Sequence, residues 1–283
     1  MSPQVHDDRA CLLGEGPFWH PKLGKLFWCD ILGRKLLCDD GREWAFEQHV
    51  SAMGWVSDTQ LLIADEVSLF TFDLESAARS KICNLEADNP VTRSNDGRAD
   101  PYGGFWIGTM GKQAEPDAGA IYRYYKGELR RLFAPITISN AICFSPDGAY
   151  AYFTDTYYAR VMRVPLDPQG WPCAAPDRIL DLSKKGLNPD GAITTADGDL
   201  LIAQWGASNV AQYGRFGDQR RTFDLPTAHV TCPVFGGPDM STLFVTTAQQ
   251  GLSDDALLAQ PDAGKTFAFN TALRGLAAPQ VLL

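Results

Sequence analysis

The sequence predicts an all-β protein that folds as a six-bladed β-propeller. Short runs rich in β-branched and aromatic residues recur along the chain, most of them follow a tight turn, and helical periodicity is scarce. Equivalent positions of the repeat lie about 37 to 50 residues apart, near the four-strand period of a propeller blade. A two-sheet sandwich also has short strands and frequent turns, but it does not generate so long a repeat. We therefore expect a single six-bladed domain over residues 1–283.

The turns of the repeat are marked by Asp-Gly, Pro-Asp-Gly or similar sequences. Gly accepts a positive φ and Asp can bond to nearby backbone, so these sequences favour tight turns between antiparallel strands. In chain order, the turn segments are residues 20–24, 100–104, 145–148, 195–198 and 236–239. The strands predicted directly after them are residues 26–30, 105–108, 150–155, 200–205 and 242–247, with further strands at 120–124 and 160–164.

The charge of the chain argues against nucleic acid as a partner. There are 34 acidic and 25 basic residues, giving a formal net charge of −9, and nucleic-acid-binding proteins usually have the opposite sign. No apolar run approaches the roughly 20 residues that span a bilayer, so we expect no membrane partner either. Hydrophobic residues make up 45% of the chain, which is enough for a substantial core.

The cysteines indicate a reducing compartment. Their number is odd and no two form a C-x-x-C pair, so neither a disulfide framework nor a thiolate zinc site is predicted. Most lie in apolar surroundings and are expected to be small buried residues. The first nine residues contain Asp7 and Asp8 and lack the basic start and apolar block of a secretory signal, so we expect a cytoplasmic protein. The seven are Cys11, Cys29, Cys38, Cys83, Cys143, Cys173 and Cys232.

Polar residues stand at most of the repeat start points, each of which begins the innermost strand of a predicted blade. In a propeller, these strand starts line the central channel. Two carboxylates and one or two amides should therefore point at one axis from different blades. The six start points are Glu15, Ala52, Asn95, Asn140, Asp190 and Cys232.

This convergence predicts a site for one divalent metal cation. Carboxylates that meet in a cavity repel one another and lose hydration, and a cation relieves both costs. Oxygen ligands favour Ca²⁺, Mg²⁺ or Mn²⁺, while Fe²⁺ and Zn²⁺ are also compatible. Taken one at a time, an Asp or Asn beside Gly is more often a turn residue, and it is their shared place in the repeat that favours a site.

Other catalytic motifs are absent from the sequence. There is no G-x-S-x-G, H-E-x-x-H or G-x-x-x-x-G-K-[ST] segment, and the four histidines form no pair at ligand spacing. Serine-hydrolase, histidine-zinc and nucleotide-dependent chemistries are therefore not predicted. The residues alone indicate a propeller with an axial metal and hydrolytic chemistry.

Five short segments, in order along the chain, carry a family resemblance. They are residues 13–19 (Leu-Gly-Glu-Gly-Pro-Phe-Trp), 93–97 (Arg-Ser-Asn-Asp-Gly), 108–110 (Gly-Thr-Met), 139–140 (Ser-Asn) and 189–191 (Pro-Asp-Gly). Together they resemble the gluconolactonase/regucalcin (senescence marker protein) family, over about residues 11 to 270. Residues 230–239, 246–248 and 251–254 look most like bacterial aldonolactonases, which act on xylono-, arabino-, galactono- or gluconolactone.

The resemblance implies a sugar lactonase that hydrolyses a pentono- or hexonolactone to the aldonic acid in oxidative sugar catabolism. It places the metal ligands at Glu15, Asn140 and Asp190, with Asp190 also the catalytic acid/base. It places substrate-binding residues at Arg93 and Asn95, although a structural ion pair is an alternative role for Arg93. Whether Asp190 or a metal-bound water supplies the base stays open at this point.

One position departs from the family pattern. Regucalcin-like members have a substrate-contacting Glu just after Gly-Thr-Met, whereas this chain has Gln113, preceded by Lys112. The sequence therefore leaves open which aldonolactone is preferred.

Two other functions are compatible with the same site: a calcium-binding regulatory protein of the regucalcin type, and an arylester- or organophosphate-hydrolysing propeller. Arg93 and Asn95 favour a hydroxylated ligand over an apolar ester. A WD40-like scaffold has no reason to direct two carboxylates into its channel, and the WD40 repeat signature is absent. We expect a sugar lactone as the small-molecule partner, and a monomer or weak homo-oligomer.

Overall fold

The computed structural model describes residues 2–283, which form six four-stranded antiparallel sheets. Each innermost strand contacts the innermost strand of the next sheet, and the sixth contacts the first, so the sheets close a ring around a central channel. This arrangement confirms the predicted six-bladed β-propeller. Two short helical segments, Ser183–Lys185 and α1 (Asp254–Ala259), lie in connections between strands.

The strands of the first three blades follow the order of the chain. The first strand, β1 (Gln4–Asp7), belongs to none of these blades. Blade 1 contains β2 (Gly14–His20), β3 (Lys25–Asp30), β4 (Lys35–Cys38) and β5 (Glu43–Ala45). Blade 2 contains β6 (Ala52–Trp55), β7 (Gln60–Ala64), β8 (Ser68–Asp73) and β9 (Arg79–Asn84). Blade 3 contains β10 (Thr92–Ala99), β11 (Phe105–Gly111), β12 (Gly119–Tyr125) and β13 (Glu128–Ile136).

The remaining blades continue in the same way until the last one. Blade 4 contains β14 (Ser139–Phe144), β15 (Tyr150–Asp155), β16 (Arg160–Pro165) and β17 (Asp177–Asp181). Blade 5 contains β18 (Asn188–Thr194), β19 (Leu200–Trp205), β20 (Asn209–Tyr213) and β21 (Gln219–Asp224). Blade 6 contains β22 (Val230–Gly236), β23 (Thr242–Thr247) and β24 (Thr266–Asn270), and its fourth strand is β1.

Strand β1 closes the ring by pairing with β24, so the sixth blade combines strands from distant parts of the sequence. Arg9 fastens this closure to blade 1: its Nη2 donates to Asp7 Oδ2 at 2.7 Å and to the Cys38 carbonyl at 2.6 Å. His6 packs on Phe244 of β23, with ring centroids 4.6 Å apart. The strand is therefore bonded to both blades that meet at the closure.

A separate apolar cluster fills each of the six spaces between neighbouring blades. Successive residues of one strand serve different clusters: in β7, Leu61 and Ile63 pack with blade 1, whereas Leu62 and Ala64 pack with blade 3. Because side chains alternate across a strand, a strand with blades on both sides must be apolar at consecutive positions. This is why the inner strands are continuous apolar runs in the sequence. Five of the seven cysteines are buried, as predicted, and four of these five lie in the apolar clusters.

Blade 3 contains one fully buried ion pair, and its arginine also contacts blade 4. Arg123 of β12 donates from Nε to Asp100 Oδ2 at 2.6 Å, and both side chains are 0% exposed. The guanidinium also donates to the Gln169 carbonyl at 3.0 Å and lies 4.2 Å from the ring centroid of Trp171. Asp100 is therefore the buried counter-charge that allows Arg123 to join the two blades.

Substitution Asp100→Asn should leave Arg123 buried without a counter-charge. We expect the free energy of unfolding to fall by about 3–5 kcal/mol, measured by urea denaturation. Substitution Glu128→Gln breaks the exposed Glu128–Arg130 pair of the same blade and should cost less than about 1 kcal/mol. Equal losses in the two variants would contradict a special role for the buried pair.

Candidate active site

One end of the central channel holds a cavity of about 380 Å³. It contains side chains from the innermost strands of four blades, namely β2, β10, β14 and β18. Five of them are the residues that the sequence predicted for the site, and all five are buried: Glu15, Arg93, Asn95, Asn140 and Asp190. The structure therefore brings together every predicted site residue.

Irregular strand pairing accompanies these positions. In each of the four inner strands, the register with the second strand shifts directly after Glu15, Ser94, Asn140 and Pro189, respectively. Such β-bulges re-aim side chains and are common beside active sites. Strand β6 of blade 2 pairs without a shift, and its start point Ala52 supplies no polar group to the cavity.

Glycine permits the bulge that follows Glu15. Gly16 has a φ of 55°, and a Cβ at this position would collide with the carbonyl oxygen of Ser51 at the start of blade 2. The Gly16 amide donates to Glu15 Oε2 at 2.8 Å. The close approach of two blade backbones beside the channel therefore requires glycine here.

A chain of hydrogen bonds fixes the amide of Asn140. Its Nδ2 donates to Thr156 Oγ1 at 2.9 Å, and that hydroxyl donates to the Pro189 carbonyl at 2.7 Å. Asn95 Nδ2 donates to Asn140 Oδ1 at 3.0 Å. These partners assign the orientation of the amide and leave Oδ1 with capacity for a second interaction.

Arg93 supplies a positive charge to the cavity. Its Nη1 donates to Asn95 Oδ1 and to the Ser94 carbonyl, both at 2.8 Å. Its Nε and Nη2 make no hydrogen bond within residues 2–283, so they can donate to a ligand in the cavity. Burial lowers the pKa of Arg93 to about 10, which leaves the group charged at neutral pH.

The two carboxyl groups of the cavity have raised pKa values. Burial, together with the charge of Asp96, raises the pKa of Glu15 to about 8. Burial, together with the charge of Glu15, raises the pKa of Asp190 well above its ordinary value. Ionising both groups is therefore unfavourable unless positive charge is added between them.

The residues of the cavity fit one divalent cation. Glu15 and Asp190 would match its charge, Asn140 Oδ1 adds a neutral oxygen, and hard cations prefer oxygen donors. Within residues 2–283 no group of three or more His, Cys, Asp or Glu side chains is placed to hold a metal. The candidate site is not such a group, because it combines two carboxylates with an amide.

Asp96 is a third buried carboxyl group that acts on these two through its charge, and the sequence did not predict it. Its Oδ2 accepts a hydrogen bond from the Ile142 amide at 2.6 Å, while its Oδ1 has no partner in the described part of the chain. Burial raises its pKa to about 6, and its charge raises the pKa values of Glu15 and Asp190. Asp96 therefore adds to the negative charge that Glu15 and Asp190 experience.

Sequence reasoning also missed three residues that line the cavity: Thr156, Tyr157 and Trp205. Thr156 directly follows β15 and Trp205 ends β19, which are the second strands of blades 4 and 5. Antiparallel pairing places the end of a second strand beside the start of the first. The repeat register therefore contained a signal for both positions.

The structure places Gln113, whose role the sequence left open, outside the cavity. It is exposed and does not line the cavity, while Met110 and Ala114 of the same segment do. Lys112 instead pairs with Glu66 of blade 2, with Nζ 2.5 Å from Oε2. The turn that follows β11 directs Gln113 away from the cavity.

A second cavity, of about 360 Å³, lies at the opposite end of the channel. It is mostly apolar, with Phe18, Phe144 and Phe235 among its walls, and residues 276–279 cover it. Its charged lining residue is Arg98, and no carboxylate of residues 2–283 reaches it. This cavity lacks the donors for a cation or for acid–base chemistry.

Comparisons with known proteins find relatives that span nearly the whole chain. A family described as "SMP-30/Gluconolactonase/LRE-like region" matches residues 13–249. A protein of Rhizobium meliloti (strain 1021), provisionally named a sugar lactone lactonase, is 41% identical over 97% of this chain and 95% of its own length. An L-arabinolactonase of Azospirillum brasilense is 36% identical over 95% and 92%, respectively. A crystal structure from Agrobacterium tumefaciens, described as the calcium-binding protein regucalcin, superimposes with a TM-score of 0.97 at 40% identity over 100% of this chain and 98% of that one.

Substitution Thr156→Val should free the Asn140 amide to rotate. We expect the affinity for a divalent cation to fall about 10- to 100-fold, measured by calorimetric titration of metal-stripped protein. Substitution Thr154→Val, two residues earlier in β15, removes a buried hydroxyl that donates to the Arg160 carbonyl outside the cavity, so it should leave the affinity unchanged. An unaltered affinity in folded Thr156→Val protein would show that the amide needs no such support.

Proposed function

Because this chain belongs to the SMP-30/gluconolactonase/LRE-like family, we propose that it hydrolyses a sugar aldonolactone, a pentono- or hexonolactone, to the aldonic acid. The observation that carries the proposal is the convergence of two carboxylates, two amides and one guanidinium in a single buried cavity. A lactone ring has a carbonyl to activate and several hydroxyls to bind, and this set of groups can do both. Relatives named as lactonases support a hydrolase of lactone ester bonds.

The proposed cofactor is one divalent cation held by Glu15, Asn140 and Asp190. When bound, it would polarise the lactone carbonyl and stabilise the negative charge that develops on the carbonyl oxygen. Ca²⁺, Zn²⁺, Mg²⁺, Mn²⁺ and Fe²⁺ are all compatible with these donors. Calcium binding is named for the Agrobacterium structure, and this supports a cation of that kind.

Asp190 is the proposed acid/base residue. It would accept a proton from the attacking water and return a proton to the ring oxygen as the carbon–oxygen bond of the ester breaks. The products balance: one water and one lactone give one aldonic acid. Asp190 suits this task because it is a carboxyl group in a buried cavity that a small substrate can enter.

Arg93 and Asn95 are the proposed substrate-binding residues. Arg93 has Nε and Nη2 available to donate to sugar hydroxyls. Asn95 already donates to the Ser139 carbonyl and to Asn140 Oδ1, so it can only accept a hydrogen bond from the substrate. Holding the ring by these contacts would place its carbonyl against the reactive groups.

The rival functions use the same cavity. A calcium-binding regulatory protein would need the cation ligands but not the unpaired donors of Arg93 beside them. An arylester or organophosphate hydrolase would need an apolar pocket rather than a set of hydroxyl-binding groups. Comparing the rates of hydrolysis of xylonolactone and phenyl acetate distinguishes a sugar lactonase from an arylester hydrolase. Cation binding without turnover of any lactone would favour the calcium-binding regulatory protein.

We also propose a cytoplasmic location. All seven cysteines are free thiols in the structure, which suits a reducing compartment.

No helix of residues 2–283 is long and apolar enough to cross a membrane.

Substitution Asp190→Asn should remove the proton acceptor and one anionic oxygen of the site. We expect kcat/KM for the preferred lactone to fall about 10²- to 10⁴-fold, measured above the spontaneous rate of hydrolysis. Asp197→Asn changes an exposed turn residue of the same blade and should have no effect. The mechanism is wrong if Asp190→Asn protein binds the cation normally and keeps wild-type turnover.

A further inference from the structure

The cavity has both polar and apolar lining residues. The polar lining contains the charged and amide groups described above, whereas the apolar lining includes Leu13, Met110, Ile138 and Trp205. A sugar ring is amphipathic in the same sense, because hydroxyls project from its edge while C–H groups form apolar patches on its faces. A pocket that orients such a ring needs a few polar groups and an apolar wall.

Trp205 provides a flat wall in a fixed orientation. The imidazole of His229 stacks on it, with ring centroids 4.1 Å apart and planes inclined by 11°. A backbone bridge joins the same two residues, and Asn188 Nδ2 donates to the Trp205 carbonyl at 3.3 Å. The indole also packs against the apolar cluster that includes Leu13.

His229 covers one face of the indole as a neutral ring. Burial lowers the pKa of His229, so the imidazole is uncharged at neutral pH. Its Nδ1 is buried and has no hydrogen-bond partner within residues 2–283. The stacking contact with Trp205 is one of the contacts that hold this ring in place.

We propose that Trp205 is a stacking surface for one face of the sugar lactone and that His229 is a positioning residue that sets the plane of the indole. This inference rests on the proposed lactonase function. It adds which feature of the sugar ring the site selects. The preferred ring presents a continuous run of C–H groups on one face. Arg93 and Asn95 bind its hydroxyl edge while Trp205 holds its face, so the ring is fixed in two directions.

Tyr157 is the other aromatic residue of the cavity, and it lacks this support. It is 64% exposed, and its aromatic neighbour is the exposed Tyr158, with ring centroids 5.2 Å apart. A side chain that is mostly in solvent does not define a plane for the substrate. The fixed surface is Trp205.

The test compares Trp205→Leu with Trp205→Phe on the preferred lactone and on a non-hydrolysable lactam of the same sugar. We expect Trp205→Leu to raise KM and the calorimetric Kd of the lactam about tenfold, with kcat nearly unchanged, and Trp205→Phe to raise both by less than about threefold. The differences in kcat/KM among epimeric lactones should become smaller in Trp205→Leu protein. Trp171→Leu removes a tryptophan that lines neither cavity, so it should change none of these values.

The positioning role of His229 is tested by rescue. His229→Ala should raise KM in the same way as Trp205→Leu, and His229→Phe, which keeps a flat ring behind the indole, should restore it. If His229→Ala lowers thermal stability but leaves KM and the lactam Kd unchanged, His229 is a structural residue and the positioning role is wrong.

The outcomes separate this inference from the proposed function. An active enzyme whose KM and lactam Kd are unaffected by Trp205→Leu overturns the stacking surface and leaves the lactonase intact. A wild-type protein that binds the lactam through Trp205 but hydrolyses no lactone overturns the lactonase and supports the stacking surface. A wild-type protein that neither binds the lactam nor hydrolyses any lactone overturns both.

Discussion

The burial of two carboxyl groups at one end of the channel is the constraint on which the account depends. Glu15 and Asp190 come from different blades, and the burial that raises their pKa values opposes ionising them together. Two carboxylates buried together in this way need positive charge in the cavity. Arg93 supplies part of it, and the oriented oxygen of Asn140 completes a set of donors that suits a divalent cation. Proposed catalysis and proposed cation binding are thus two consequences of one electrostatic arrangement.

In this propeller, the contacts that stabilise the ring are mostly different from the polar groups of the cavity. The closure by β1 and the buried pair of Asp100 with Arg123 lie away from the cavity, and most members of the apolar clusters between the blades do not line it. Only the bulged starts of inner strands carry the polar site residues, and there the regular pairing is interrupted. The polar groups can therefore be optimised for binding, because the stability of the ring does not rest on them.

Much of this could be predicted from the sequence, and the remainder has a physical reason. The long repeat predicts six blades, and its register predicts which residues face the channel, so Glu15 and Asp190 could be brought together without coordinates. The position of Gln113 could not be predicted, because the repeat does not determine the path of a turn. Trp205 was missed because a tryptophan at the end of a strand has the same sequence signature as a core residue. Its stacking partner, His229, lies in the next blade, and such a contact is visible only in three dimensions.

The central claim is that a cation in this cavity is required to hydrolyse a sugar lactone. The most direct measurement is the rate of hydrolysis of a panel of aldono-1,4- and 1,5-lactones by metal-stripped protein and by the same protein with each divalent cation restored. We expect that the stripped protein does not exceed the spontaneous rate and that one or more cations restore turnover of one or two lactones. Full turnover by stripped protein, or no turnover of any lactone despite a bound cation, would contradict it.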